Sequence, residues 1–236
     1  MNFTALTVFV MAKNETDLLR QTVSSIRSNC NDEDLAKITI VPKDEHCASY
    51  AVAQELKNAD SKVDIHIQQA PNPQICVSEL PPLVESSHFV IMVADNEMDA
   101  RDLSTFIEKA KQHPQRIICA AKWLPESTVI GYGAFHAFCS KTMNRIITLL
   151  FNKKVCDPFS IYQIYPIEMY RRLNFDNPET VLYEYTLKPL HAGEEYEEIP
   201  TVYESRQNGK TNFNFHILCS VAIRFILTGI KIRFHL

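Results

Sequence analysis

Short, β-branched apolar runs recur between helical patterns along the first half of this chain, and that order constrains its fold more than any other feature. Residues 5–11 (ALTVFVM) read as a buried strand, and 16–26 as a helix with apolar positions at 18, 19, 23 and 26. Residues 37–41 (KITIV), 63–67 (VDIHI), 89–93 (FVIMV) and 116–122 (RIICAAK) continue the strand series, and helical patterns over 48–56 and 103–110 lie among them. Strands joined through helices pair in parallel, because each crossover returns the chain to the same end of the sheet. The run at 89–93 has no polar position, which suits a central strand covered on both faces. The expected class is α/β, with a mostly parallel central sheet flanked by helices.

In the second half, 123–134 reads as a long loop over the sheet and 138–151 as a helix with Lys141 and Arg145 four apart on one face. A short strand at 162–165, a helix over 166–173 opening on a proline, a further helix at 183–191 and a last strand at 197–203 follow. The tail, 213–236, is apolar but interrupted by His216, Arg224, Lys231 and Arg233. A spanning helix needs about 20 uninterrupted apolar residues, so the tail reads as an amphipathic helix at a membrane interface. The alternative is a C-terminal helix packed on the domain with its basic end in water. The chain thus divides into a domain at 1–212 and an amphipathic helix at 213–236.

A length of 236 residues supports one such domain. The net charge of -4 argues against a general nucleic-acid binder, so any phosphate site must be local. Seven cysteines occur singly, with no CxxC pair, no Cys/His ligand pair and no signal-peptide pattern. That reads as reduced thiols in a cytoplasmic protein without zinc.

Three segments carry candidate chemistry. The strand at 89–93 runs into Ala94, Asp95, Asn96, Glu97, Met98 and Asp99, at the edge where open α/β sheets bind ligands. Asp95 and Glu97, two apart in a turn, suit a hard divalent cation holding a diphosphate; alternatively, Asp95 or Asp99 caps the next helix. Residues 145–160 (RIITLLFNKKVCDPFS) join a basic amphipathic helix to an acidic turn, and 206–212 (RQNGKTN) place Arg206, Gly209 and Thr211 just before the tail. Arginine presents a planar fork of donors to phosphate oxygens, and glycine lets the backbone approach them.

In this order the pieces resemble the family-2, GT-A-fold glycosyltransferases, and among them the dolichyl-phosphate mannose synthase-like enzymes. Residues 7–19 (TVFVMAKNETDLL) resemble the opening strand-turn-helix, with Asn14 and Glu15 retained. The acidic turn resembles the DxDxQ metal motif in either of two registers: Val93, Asp95 and Glu97 as its three positions, or Asp95 and Glu97 as the aspartate pair. Ser140, Lys141, Asn144 and Arg145 resemble a Ser-Arg-x-x-Asn helix, and Asp157, Pro158 and Ser160 a D-P-x-S-G-F turn. Glu198, Pro200, Tyr203, Arg206, Gly209 and Thr211 follow E-V-P-I-x-Y-x-x-R-x-x-G-x-S. Lys43 and Asp44 stand where the family carries an acidic nucleotide-binding segment.

The resemblance implies a metal-dependent, inverting glycosyltransferase that moves a sugar from a nucleotide-sugar donor to a polyprenyl phosphate, peripheral at the cytoplasmic face of a membrane. It assigns Asn14, Glu15, Lys43, Asp44, Asp95 and Lys122 to the donor, and Mg2+ or Mn2+ to Asp95 and Glu97. Lys141, Arg145, Ser160, Arg206, Gly209 and Thr211 fall to the acceptor phosphate, and Asp157 and Arg206 to catalysis. Two alternatives remain: transfer to a sugar hydroxyl of a surface polysaccharide or glycolipid, with Asp157 as general base, or an inactive GT-A domain that only binds.

Overall fold

The computed structural model describes residues 2–175, 177–205 and 215–235, with the backbone alone for 215–219. The first half runs β1 (Leu6–Ala12), α1 (Asp17–Asn29), β2 (Leu35–Pro42), α2 (Ala48–Ala59), β3 (Val63–Ile65), a single turn α3 (Pro73–Cys76), β4 (His88–Val93), α4 (Asp102–Gln112) and β5 (Ile117–Ala120). The second half runs β6 (Thr128–Ile130), α5 (Ala134–Phe151), β7 (Gln163–Pro166), α6 (Ile167–Leu173), α7 (Val181–Ala192), β8 (Tyr196–Ile199), β9 (Val202–Glu204) and α8 (Phe215–Phe234).

Seven strands form the main sheet in the order β3-β2-β1-β4-β7-β5-β8. β2, β3 and β4 join this sheet through parallel pairings, as does β8 beside β5, while β7 lies antiparallel to both β4 and β5. Alternation along each strand builds two cores. Leu6, Val8 and Val10 of β1 and Val90 and Met92 of β4 face a cluster that includes Leu19, Ile26, Val52 and Phe106 from α1, α2 and α4. Phe9, Phe89 and Ile91 face the opposite cluster with Leu80, Tyr165 and Tyr185. Successive side chains on a strand point to opposite faces, so one apolar run supplies both layers.

A third cluster joins α5, α7 and α8 through Ile147, Phe151, Leu187, Leu190 and Phe225. The tail helix α8 thus packs against α5 and α7. Among the described residues no helix is long and apolar enough to cross a membrane.

Two elements depart from the sequence reading. The segment 123–134 is not wholly loop, because β6 lies inside it and pairs in parallel with β9 in a separate two-stranded sheet. The expected strand at 197–203 is two strands, β8 and β9, in different sheets. Pro200 has no N–H to extend the ladder, so the chain leaves the main sheet there. Gly131 makes the small sheet possible: its φ is +73°, and a Cβ there would sit 3.3 Å from Cβ of Ser205.

Candidate functional site

β1 is the strand at which the sheet changes direction, because β2 and β3 lie to one side of it and β4 to the other. Ligands of open α/β sheets bind beyond the C-terminal ends of the strands at such a point. The loops after β1, β2 and β4 meet there: Lys43 N–H donates to the Ala12 carbonyl at 3.1 Å, and Ala94 N–H to the Met11 carbonyl at 3.0 Å.

On the β1–β2 side, the Glu15 carboxylate turns back on its own loop and accepts from the N–H groups of Lys13 and Asn14 at 2.6 and 3.0 Å. The Glu15 carbonyl accepts from Ser49 Oγ at 2.7 Å, tying the loop to α2. Glu15 thus shapes this wall, with Asn14 exposed beside it. Lys43 and Asp44 form an ion pair at 3.4 Å at the rim.

After β4 the chain turns through Asn96, whose φ of +60° asparagine tolerates better than most residues. Thr22 Oγ1 donates to Asn96 Oδ1 at 3.2 Å, and Asn96 Nδ2 donates to Gln21 Oε1 at 3.3 Å. This pins the turn to α1 and fixes Asp95 and Glu97 on either side. Glu97 N–H donates to Asp95 Oδ1 at 3.1 Å. The Tyr203 hydroxyl of β9 is pushed above its ordinary range, chiefly by burial and then by the nearby Glu97, Tyr132 and Asp95.

The opposite wall centres on Asp157, which is fully buried. Its Oδ2 accepts from Lys122 Nζ at 3.0 Å and from Lys122 N–H at 3.2 Å, and its Oδ1 accepts from Asn144 Nδ2 at 2.9 Å. The Glu198 carboxylate holds the turn from beneath, accepting from the N–H groups of Cys156 and Asp157, both at 2.8 Å. Burial pulls the Lys122 ammonium down, but Asp157 and then the Tyr132 oxygen more than compensate, so it ends above its ordinary value. Burial raises Glu198, against those two N–H donors.

Aromatic rings connect the two walls. Lys122 Nζ lies 5.8 Å from the Trp123 ring centroid and 5.7 Å from that of Tyr203. Tyr132 stands edge-on to Trp123 and Tyr203, with centroids at 5.4 and 5.5 Å. Lys141 of α5 reaches over Trp123 at 4.6 Å, and Trp123 Nε1 donates to Ser140 Oγ at 3.0 Å.

The structure therefore brings together Asp95, Glu97, Lys122, Lys141 and Asp157, with Asn14, Glu15, Lys43 and Asp44 along the β1–β2 rim. Arg145 is exposed one turn beyond Lys141. Ser160 is buried, and its hydroxyl is committed to the Ala120 carbonyl at 2.9 Å. Arg206, Gly209 and Thr211 lie outside the described residues. Trp123 and Tyr132 were not singled out from the sequence; the one available signal was that the chain's single tryptophan directly follows Lys122.

Among the described residues, no group of three or more His, Cys, Asp or Glu is placed to hold a metal alone. Asp95 and Glu97 still fit a divalent cation that arrives with its ligand, since Mg2+ is commonly held by one or two carboxylates plus substrate phosphates.

No protein-family model matches the chain, and no curated protein sequence matches it. Solved structures do. Glucosyl-3-phosphoglycerate synthase from Mycobacterium tuberculosis, in complex with Mn2+, uridine-diphosphate and phosphoglyceric acid, aligns with a TM-score of 0.68 at 12% identity, over 98% of this chain and 78% of that one. The same synthase with phosphoglyceric acid alone gives 0.67 at 10% identity, over 98% and 80%. Its complex with Mn2+, uridine-diphosphate and glucosyl-3-phosphoglycerate gives 0.65 at 11%, again over 98% and 80%. The fold of this chain is thus the α/β fold of the GT-A glycosyltransferases.

Proposed function

We propose that this chain is a metal-dependent, inverting glycosyltransferase that carries a sugar from a nucleoside-diphosphate donor to a phosphate-bearing acceptor, specifically a polyprenyl phosphate at the cytoplasmic face of a membrane. The observation that carries this reading is the continuous wall from Asp95 and Glu97, through Tyr203, to the Lys122–Asp157 pair, at the ligand-binding edge of this fold.

On this reading Asn14, Glu15, Lys43 and Asp44 line the nucleotide end. Asp95 and Glu97 hold Mg2+ or Mn2+, which when bound neutralises charge on the departing diphosphate. Lys122 stands between the two ends as a fixed cation, and Lys141 and Arg145 extend positive charge toward the acceptor. Arg206, Gly209 and Thr211 belong to the acceptor end by the resemblance of their motif.

The burial of Asp157 favours a phosphate acceptor over a sugar hydroxyl. A hydroxyl needs a general base within reach of its proton. Asp157 is closed off from solvent with both oxygens engaged, and serves as the counter-ion that keeps Lys122 charged and in place. A phosphate monoester has its second pKa near 6, so at pH 7 it is already largely a dianion and needs no such base. A small phosphate-bearing acid is the second reading, favoured by the phosphoglyceric acid bound in the neighbouring structures.

Calorimetry tests the donor half. Titrating the chain with uridine, guanosine, adenosine and cytidine diphosphates in the presence of Mn2+ should give heat with one of them, lost in Asp95→Ala and Glu97→Ala. No heat across the series would leave only a binding domain without donor. With the matching nucleotide sugar, mass spectrometry of the products from a polyprenyl phosphate and from phosphoglyceric acid decides between the acceptors.

A further inference from the structure

Among the described residues, most of the exposed large apolar side chains lie on α5 and α8. Phe138 and Leu149 of α5 are 69% and 76% exposed, and Phe135 and Ile146 are exposed beside them. At 3.6 residues per turn these four positions span about 80° of the helix circumference. On α8, Ile223, Leu227 and Phe234 are also exposed and fall within about 40° of one another. Scattered apolar residues on a surface are ordinary; two aligned stripes on packed neighbours are not.

Each stripe is bordered by cations along one edge. Lys141 and Arg145 flank Phe138 on α5, and Arg224 and Lys231 flank Leu227 on α8, all four exposed. Neither helix contains an aspartate or glutamate, in a chain with 28 of them and a net charge of -4. The two helices are fixed side by side: a Cβ on Gly229 would meet Ile147 and Leu150 at 3.2 Å, and Arg233 Nε donates to the Leu150 carbonyl at 3.3 Å.

We infer that the outward faces of α5 and α8 together form a docking surface for an anionic lipid bilayer. The pattern is that of a helix lying in the plane of a membrane, with apolar side chains below the headgroups and cations at their level. A second copy of this chain is a poorer occupant, because two such faces would bring like charges together. The surface also reaches the candidate site, since Lys141 on its basic edge lies over Trp123 at 4.6 Å. A lipid-borne acceptor would meet the protein at the rim where the acceptor end opens. The docking itself does not depend on the transferase reading.

Flotation of the full chain with vesicles tests it, using phosphatidylcholine alone and phosphatidylcholine with phosphatidylserine. The chain should float with the anionic vesicles only, and less so at high salt. Arg224→Glu with Lys231→Glu should lower the bound fraction by more than about tenfold. Phe138→Glu with Leu149→Glu, or Leu227→Glu alone, should abolish binding even at low salt. Circular dichroism and the nucleotide heat of each variant should match the parent, which separates loss of docking from loss of fold or donor site. Failure of the parent chain to float, or flotation untouched by all three variants, would overturn the inference. A dimer in sedimentation equilibrium that Leu149→Glu dissociates would assign the face to a second copy instead.

Discussion

The Lys122–Asp157 pair is where single residues decide most. Asp157 is fully buried and the Lys122 side chain is 12% exposed, so removing either partner strands a charge out of water. Loss of one member of a buried pair typically costs about 3–5 kcal/mol, whereas replacing both by well-packed neutral groups is often nearly neutral. Asp157→Asn and Lys122→Met should each lower the unfolding free energy in urea by about that amount, and the double variant by much less. A fully additive double variant would mean that the two charges are held independently. Recovered stability without recovered nucleotide heat would separate the scaffold role of the pair from the role of the ammonium itself. Much of this site was legible in residue order, because strand ends in a parallel sheet converge and so Asp95, Glu97 and Lys122 had to lie along one edge. The burial of Asp157 was not legible, since it depends on Asn144 and Glu198, 13 residues before it and 41 after it, closing around it. Nor were the roles of Trp123 and Tyr132, which act through ring contacts that leave no periodic trace.

At the scale of elements, the local patterns specified β1 to β5 because each carries its own apolar run, although only β1, β2 and β3 pair with a neighbour in sequence and β4 finds both its partners, β1 and β7, three strands away. β6 escaped notice because it has three residues and a partner some 70 residues away, so its pairing is a purely tertiary choice. β4 carries a less visible feature at its first residue. His88 is fully buried, with Nδ1 2.9 Å from Ser87 Oγ and Nε2 3.0 Å from the Pro114 carbonyl. Burial pulls it down from 6.5 to about 4, against the raising effect of the Pro114 carbonyl. Unfolded, the ring takes up a proton near its ordinary value; folded, it resists until about pH 4. Its contribution to stability is therefore complete above about pH 6.5 and is lost as pH falls through 4, at most about 3 kcal/mol in all. Urea unfolding of the parent chain and of His88→Asn at pH 7 and pH 4.5 should show the stability gap between them narrowing by about 2.5 kcal/mol at the lower pH. A constant gap would mean that the buried ring does not control this loss.

For the molecule as a whole, the open question in its sequence was whether the last two dozen residues form an appendage or part of the domain. The apolar content of the tail is compatible with both, because a helix can bury one stripe in protein and offer another to a membrane. The packing divides the helix in that way. Phe225 is 1% exposed, in ring contact with Phe159 at 4.9 Å and Tyr183 at 5.7 Å, while Ile223 and Leu227, two residues to either side, face outward. If α8 completes the core of α5 and α7, it unfolds with them. Phe225→Ala should then cost about 3–5 kcal/mol, and do so in a single cooperative transition followed equally by far-ultraviolet circular dichroism and by tryptophan fluorescence at Trp123. An appended helix would behave differently: its loss would appear as a separate early change in dichroism, with the fluorescence transition unmoved. The same logic governs truncation. Removing everything after residue 213 would uncover Ile147, Phe151 and Leu187, so a truncated chain that loses vesicle binding says little about docking, whereas Leu227→Glu changes only the outward stripe.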